Sequence, residues 1–372
     1  MDFNPSEEQA LLRDSVAGFL RDAPASVQDA WDGMAGLGWL GISLPEEAGG
    51  IGGAVEAAIV AEGLGRSLSP APFLSSTVFG GHLVAAAGTD EQRARLLPAL
   101  LEGRLRLAVA WAEPGDRLLP DGAETAASRQ GAGYRITGRK DLVPDAADAG
   151  LLVVPARLPD GGTGLFLLPP DMPGLALRAG RLLDGRGFAD LVLEEVETGP
   201  ETLLGGGAAP AAVLEDTFDR ATAALCADAV GAMREAVRTT AEYLKTRRQF
   251  GTALSTFQAL RHRIADMHME AEHAASLALA AAMACDAGDP LSRTRLVSAA
   301  KARTGKAGRF VGEAAIQLHG GIGMTEEHAI GRFHKRLLVA DALLGSRAWH
   351  LDRLAANPPA GNEAATPAQD AA

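Results

Sequence analysis

A helical pattern running through residues 291–319 stops on a glycine pair, in the stretch Gln317-Leu318-His319-Gly320-Gly321-Ile322-Gly323-Met324-Thr325. Glycine takes the left-handed backbone that ends many helices at no steric cost, so the stop is well defined. Further segments of the same period cover residues 215–245 and 257–286, and another lies between 327 and 354. Gly288-Asp289-Pro290 breaks the chain between two of them. Four long helices with short connections predict an antiparallel four-helix bundle over residues 213–357.

The rest of the chain has a different rhythm. Residues 1–104 read as a helical domain. Pro5-Ser6-Glu7-Glu8 opens its first helix, with Ser6 as N-cap, and Leu11, Leu12, Val16, Phe19 and Leu20 recur at helical spacing. Residues 54–64 and 91–101 are helical as well, after the loop Gly49-Gly50-Ile51-Gly52-Gly53. From 105 to 212, short apolar runs at 105–111, 150–155, 164–168 and 190–196 alternate with Gly, Pro and Asp clusters, which predicts a small central β domain. Tyr134-Arg135-Ile136-Thr137-Gly138 reads as a strand entering a turn. Residues 358–372 are Pro, Gly, Ala and Asn-rich and are expected to be disordered. The fold class is therefore α+β, mainly α.

Composition excludes several functions. A net charge of −12 argues against nucleic acid, whose phosphates need clustered Lys and Arg. The start MDFNPSEEQALLRD lacks the basic and apolar regions of a signal peptide. The run from Ala274 to Cys285 is too short to span a bilayer. A cytoplasmic location without a membrane span is expected, with Cys226 and Cys285 as buried free thiols. No His/Cys spacing suits zinc. Gly36-Leu37-Gly38-Trp39-Leu40-Gly41 matches a dinucleotide fingerprint, but helix precedes it and Pro45 follows, so it reads as a turn that packs Trp39 into a core.

Some 70 residues before the glycine pair stands Arg247-Arg248-Gln249-Phe250-Gly251. The two segments, with Leu37-Gly38-Trp39-Leu40-Gly41, Pro45-Glu46-Glu47 and Gly49-Gly50, resemble the acyl-CoA dehydrogenase family along the chain to about residue 355. Pro70-Ala71-Pro72-Phe73-Leu74-Ser75 is similar to a subgroup of bacterial members. The resemblance implies FAD at a subunit interface, where the bundle of one subunit holds the adenine-side half of its neighbour's cofactor. On that reading Arg247 lies near the pyrophosphate, Phe250 and Gln258 pack and hydrogen-bond the same half, and Gln317, Gly320 and Gly321 wrap the adenosine diphosphate; Ser346 also belongs to the site. A guanidinium suits Arg247 because its planar fork pairs with two phosphate oxygens and keeps its charge.

The ring half of the implied site departs from the family. The T-E-P-G segment reads Ala112-Glu113-Pro114-Gly115, and the W-x-T segment reads Leu142-Val143-Pro144. The G-A-G-S-D continuation that helps hold CoA reads Asp116-Arg117-Leu118-Leu119-Pro120. The family's catalytic glutamate falls at Leu344 in Leu343-Leu344-Gly345-Ser346, or in other members at Ala221, whose neighbouring arginine position holds Thr222. No catalytic base is identified. Asp219, Asp341 and Glu113 are the nearby acids, and solvated or salt-bridged carboxylates are the default for each.

The resemblance thus implies a subunit for FAD-dependent α,β-dehydrogenation of an acyl-CoA thioester that lacks its own base. It would complete the FAD site of a second acyl-CoA dehydrogenase subunit carrying the glutamate, in a hetero-oligomer that passes electrons to an electron-transfer flavoprotein. The alternatives are a self-sufficient flavoenzyme with an unusual base or other flavin chemistry, and a structural or ligand-binding descendant without redox activity.

Overall fold

A computed structural model describes residues 3–21, 26–115, 117–118 and 123–358. Residues 359–372 of the expected disordered tail lie outside the described residues, as do Asp116, Leu119 and Pro120.

The N-terminal part is helical: α1 (Glu7–Arg21), α2 (Val27–Gly36), α3 (Ala54–Ser67), α4 (His82–Ala87) and α5 (Asp90–Leu101). The expected cap at Ser6 is a reciprocal box, with Gln9 N donating to Ser6 Oγ at 3.1 Å and Ser6 N donating to Gln9 Oε1 at 3.0 Å. Trp39 is buried, meeting Phe19 edge-to-face at 5.4 Å, so the fingerprint-like glycines sit in a turn after α2. A π-helical stretch, Phe73–Gly81, runs straight into α4. Its small residues allow close approach to the β domain: Ser76 Oγ accepts from Leu107 N at 2.9 Å, and a Cβ on Gly80 would lie 2.6 Å from that of Leu107. Such stretches often occur at functional sites, and this one places Ser75 and Phe79 in a cavity described below.

The central part holds β1 (Leu107–Val109), β2 (Ala112–Glu113), β3 (Arg117–Leu118), β4 (Ala126–Gln130), β5 (Gly133–Pro144), β6 (Leu151–Arg157), β7 (Thr163–Leu168), β8 (Leu175–Arg181), β9 (Gly187–Thr198) and β10 (Leu203–Ala208). Eight of them form one sheet in the order β10-β7-β6-β4-β5-β9-β8, with β1 parallel to β6. Its own core gathers Ile136, Leu152, Phe166 and Leu191. Strands β4, β8 and β10 were not evident in the sequence; they are half-exposed or glycine-containing, and pairing rather than apolar content makes them strands.

The C-terminal part begins with α6 (Ala211–Thr246), then a hairpin of β11 (Arg248–Gln249) and β12 (Thr252–Ala253), followed by α7 (Gln258–Asp286) and α8 (Pro290–His319). The expected fourth helix is two helices, α9 (Ile330–Ala342) and α10 (Arg347–Ala356). The break falls where Leu344 and Gly345 take φ of +54° and +97°, a conformation no helix continues through. Ser346 caps the restart, its Oγ accepting from Trp349 N at 3.2 Å. The bundle packs on the N-terminal helices through bare backbone. An added Cβ on Gly65 would lie 1.9 Å from Asp228 O, and one on Gly231 would lie 1.9 Å from Glu62 O, so a glycine on each of α3 and α6 lets it meet the backbone of the other. Among the described residues, no helix is long and apolar enough to cross a membrane.

Candidate cofactor and acyl sites

A cavity of about 560 Å³ lies at the end of the bundle where α6, α7 and α8 meet. It brings together Arg247, Gln317, Gly320 and Gly321. Arg247 is the residue at which the chain leaves α6, its N–H donating to Tyr243 O at 2.8 Å. Gly320 has φ +64° and ψ −141°, a region almost closed to residues with a Cβ. Nothing lies within 4 Å of where Cβ atoms on Gly320 or Gly321 would stand, so the turn leaves open space for a ligand. Tyr243 stacks on His319 at 4.3 Å and forms one side of the cavity. The carbonyl of Ala315 pairs with His319 Nδ1 at 2.8 Å, and burial holds this imidazole below its ordinary pKa.

Arg263 lines the same cavity and was missed in the sequence, because only the crossing of α7 and α8 brings it there. Among the described residues neither Arg247 nor Arg263 is paired with a carboxylate, and none of the lining residues is Asp or Glu. Two free guanidiniums in an acid-free cavity suit a polyanion.

Phe250, Gln258 and Ser346 lie elsewhere. Phe250 sits at the tip of the β11–β12 hairpin, 88 % exposed, with φ +54° followed by Gly251 at +78°. Two successive positive φ values suit a two-residue hairpin, but an aromatic residue is a strained choice for the first. Gln258 is exposed at the first turn of α7. Ser346 is occupied as the cap of α10.

Leu344, Ala112, Leu142 and Pro144 line a second cavity of about 70 Å³, with Leu74, Phe79, Trp111 and Leu118. Trp111 packs between Phe79, at 4.9 Å, and Phe218, at 5.6 Å. Leu142 is 48 % exposed and its φ is +48°. The loop carrying Leu344 is firmly held. Lys301 Nζ donates to Asp341 O at 2.9 Å and Gly345 O at 2.7 Å, placing a buried cation at the negative end of α9. Burial lowers the pKa of Lys301. His350 Nε2 bonds Leu344 O at 2.8 Å, and burial drops its pKa to about 3.

None of the acids considered from the sequence lines this cavity. Asp219 is buried between Arg293, at 3.0 Å, and Arg353, at 2.5 Å. Asp341 is 3.4 Å from Arg309. Glu113 accepts from Lys140 Nζ at 2.6 Å and from the N–H groups of Glu124 and Thr125. Burial works against its charge, but the Lys140 ammonium and these bonds leave its carboxyl below the usual range. Ala221 and Thr222 are buried in α6, the Thr222 hydroxyl donating to Phe218 O at 2.8 Å. The one acid in the lining is Asp145, which directly follows Pro144 and is half-buried; its place there could not be read from the sequence. The two cysteines are free and buried, and burial pushes the Cys226 thiol up to about 11.

Comparison with known proteins settles the family. A sequence profile for the acyl-CoA dehydrogenase N-terminal domain matches residues 6–104, and one for the acyl-CoA dehydrogenase C-terminal domain matches residues 211–357. The chain belongs to the acyl-CoA dehydrogenase family. It is 29 % identical over 348 residues to acyl-CoA dehydrogenase FadE12 of Mycobacterium tuberculosis, covering 88 % of this chain and 90 % of that one. A solved point variant of the Tcur3481–Tcur3483 steroid acyl-CoA dehydrogenase is 33 % identical over 94 % of this chain and 97 % of its own, with a TM-score of 0.83. The ChsE4–ChsE5 complex from Mycobacterium tuberculosis is 26 % identical over 99 % of this chain and 100 % of its own, with a TM-score of 0.85. The α+β, mainly helical architecture is that of the acyl-CoA dehydrogenase fold.

The cofactor of the acyl-CoA dehydrogenase family is FAD, and this chain suits its two ends unequally. The bundle cavity, with its free arginines, glycine turn and aromatic wall, fits a nucleotide diphosphate. The cavity at Leu344 does not fit a flavin ring. Ligand pockets usually run to roughly 300–1,000 Å³, against about 70 Å³ here, and its walls lack hydroxyls at Ala112 and Pro144.

Proposed function

We propose that this chain is a subunit for α,β-dehydrogenation of an acyl-CoA thioester that lends its bundle cavity to the FAD of a second, glutamate-bearing subunit. The observation that carries this reading is the contrast between the two cavities: one open, cationic and free of acids, the other apolar, small and without the family's base. FAD, when bound, supplies the hydride acceptor. Arg247 and Arg263 would hold its pyrophosphate by charge-assisted hydrogen bonds, while Gly320 and Gly321 let the backbone come close. Phe250 supports an intermolecular role. A strained, exposed aromatic at a hairpin tip gains nothing within its own chain beyond an edge contact with Phe257 at 6.2 Å. Removing a general base costs about 10²–10⁴ in rate, so proton abstraction belongs to the partner. An electron-transfer flavoprotein is the natural acceptor for the reduced complex. The similarity to a two-component complex, ChsE4–ChsE5, is in keeping with hetero-oligomerisation.

Flavin counting tests the proposal. The chain is purified alone and together with a co-expressed family member that retains the glutamate. The expected result is little FAD on the chain alone and less than one FAD per chain in the complex. A yellow homo-oligomer with one FAD per chain and normal turnover would overturn it.

A further inference from the structure

His319 lines the bundle cavity together with Arg247 and Arg263. It is the last residue of α8 and only 3 % exposed. Three elements fix its ring. From α6, Tyr243 stacks on it at 4.3 Å and donates its hydroxyl to His319 O at 3.3 Å. Within α8, Nδ1 lies 2.8 Å from Ala315 O. From the turn ahead of α9, His328 comes to 4.4 Å, its own Nδ1 accepting from Ile330 N at 3.2 Å. A carbonyl only accepts, so His319 Nδ1 carries a proton. In the neutral ring Nε2 is then a bare acceptor, and among the described residues it is buried without a hydrogen-bond partner.

We infer, resting on the diphosphate reading of this cavity, that the ligand binds together with a proton and that His319 takes the proton up at Nε2. A buried acceptor with nothing to accept from is costly, and protonation turns Nε2 into a donor. The groups about the ring are the Tyr243 phenol on α6, the Arg247 and Arg263 guanidiniums at the end of α6 and in α7, the Ala315 carbonyl, and the His328 imidazole. None is a carboxylate. Burial opposes the charge most, the bond to Ala315 favours it, and His328 opposes it further, which leaves the ring below its ordinary pKa. A diphosphate brought into the cavity shifts the balance, because a nearby anion favours the charged form. The pKa of the ring is therefore higher with ligand than without it. Affinity climbs as pH falls through the ligand-bound pKa and levels off below the ligand-free one. Each unit of rise makes binding about tenfold tighter.

Isothermal titration of the full chain with ADP-ribose tests the proton linkage. This probe carries its diphosphate as a diester, so the ligand itself does not titrate near neutrality, whereas ADP does. Affinity is measured from about pH 8 to about pH 5.5, across the imidazole range. At about pH 6.5, near the ordinary imidazole pKa, the binding heat is compared in two buffers of different ionisation enthalpy, which counts the protons taken up. Wild type is expected to gain about tenfold in affinity as pH falls over this range, and to take up a measurable fraction of one proton. His319→Asn keeps a donor for Ala315 O but has nothing to protonate, so its affinity should be flat with pH and its proton uptake zero. His328→Gln should keep the uptake and move it to higher pH, because the opposing imidazole is gone. Binding of ADP-ribose without proton uptake by the wild type would overturn the inference and leave the diphosphate reading standing. No binding at any pH would remove both. Uptake that is lost in His328→Gln but kept in His319→Asn would place the proton on His328 and overturn the role of His319.

Discussion

The carboxylate of Asp286 caps a helix that begins with Ala54, 232 residues earlier in the chain, accepting from Ala54 N at 3.0 Å while its other oxygen takes Val55 N at 3.2 Å. Gly53 has no side chain to do this, and a Cβ there would crowd the same carboxylate at 2.8 Å. Arg220 completes the contact, donating to Asp286 Oδ1 at 3.0 Å. One acid at the end of α7 thus satisfies orphan N–H groups of α3 and ties the bundle to the N-terminal helices. Asp286→Ala is expected to cost about 1–2 kcal/mol, the usual worth of an N-cap. The urea unfolding midpoint reads it; an unchanged midpoint would show that water replaces the cap.

Gly231 makes the same join by contact alone. Its missing Cβ would stand 1.9 Å from Glu62 O, and backbone cannot yield as a flexible side chain can. Gly231→Ala should destabilise by about 1–3 kcal/mol through overpacking, although alanine is the better helix former. A thermal midpoint equal to or above wild type would contradict the close crossing.

Acid should weaken the fold partly through Asp216. Burial opposes its charge, but the bond to His82 and the Arg220 guanidinium hold its carboxyl down to about 2. An unfolded aspartate titrates near 3.9, so between these values the unfolded chain binds more protons. The contribution is fully present above about pH 4 and is lost as pH falls toward 2, amounting to about 2 kcal/mol. Asp216→Asn should flatten that part of the stability-versus-pH curve. Curves of equal slope for the two proteins would remove Asp216 from the account.

In the complex with a glutamate-bearing subunit, Arg247→Ala and Arg263→Ala should each weaken nucleotide retention by about 1.5–3 kcal/mol, the value of a hydrogen bond to a charged group. FAD content after dialysis, and ADP affinity of the chain alone, are the readouts. If Arg263→Ala keeps wild-type ADP affinity, only Arg247 serves the site.

Leu344→Glu should not create a second competent site. The new carboxyl would enter a largely apolar cavity whose lining cation, Arg186, is already paired with Asp184, while Lys301 behind the loop is bound to Asp341 O and Gly345 O. Burial would keep it protonated and unable to act as a base. Turnover is measured with the partner's own glutamate changed to glutamine. Substantial recovery would mean that the ring side of this chain is intact after all.

Legibility differed between elements. The long helices were visible because their apolar residues recur at one period and glycines end them; α8 begins at Pro290 with an Asp289 cap, within one residue of the expected start. The single fourth helix was an error of the same method. Residues 330–356 keep a helical rhythm on both sides of Leu344, and only the carbonyl bonds from Lys301 and His350 reveal the left-handed break. In the β domain, strands with buried residues on both faces, such as β6 and β7, could be read, whereas β8 could not.

The family and the glycine turn at Gly320 could both be read from the chain before it folds, because they depend on residue type and local backbone preference. Folding was needed to bring Arg263 beside Arg247 in one cavity and to set Asp286 on the end of α3. Each of those relations joins residues from different elements. Periodicity reports which face of an element is apolar, but the partner of that face is chosen by how helices cross and strands pair, and backbone contacts such as Gly231 against Glu62 fix that choice.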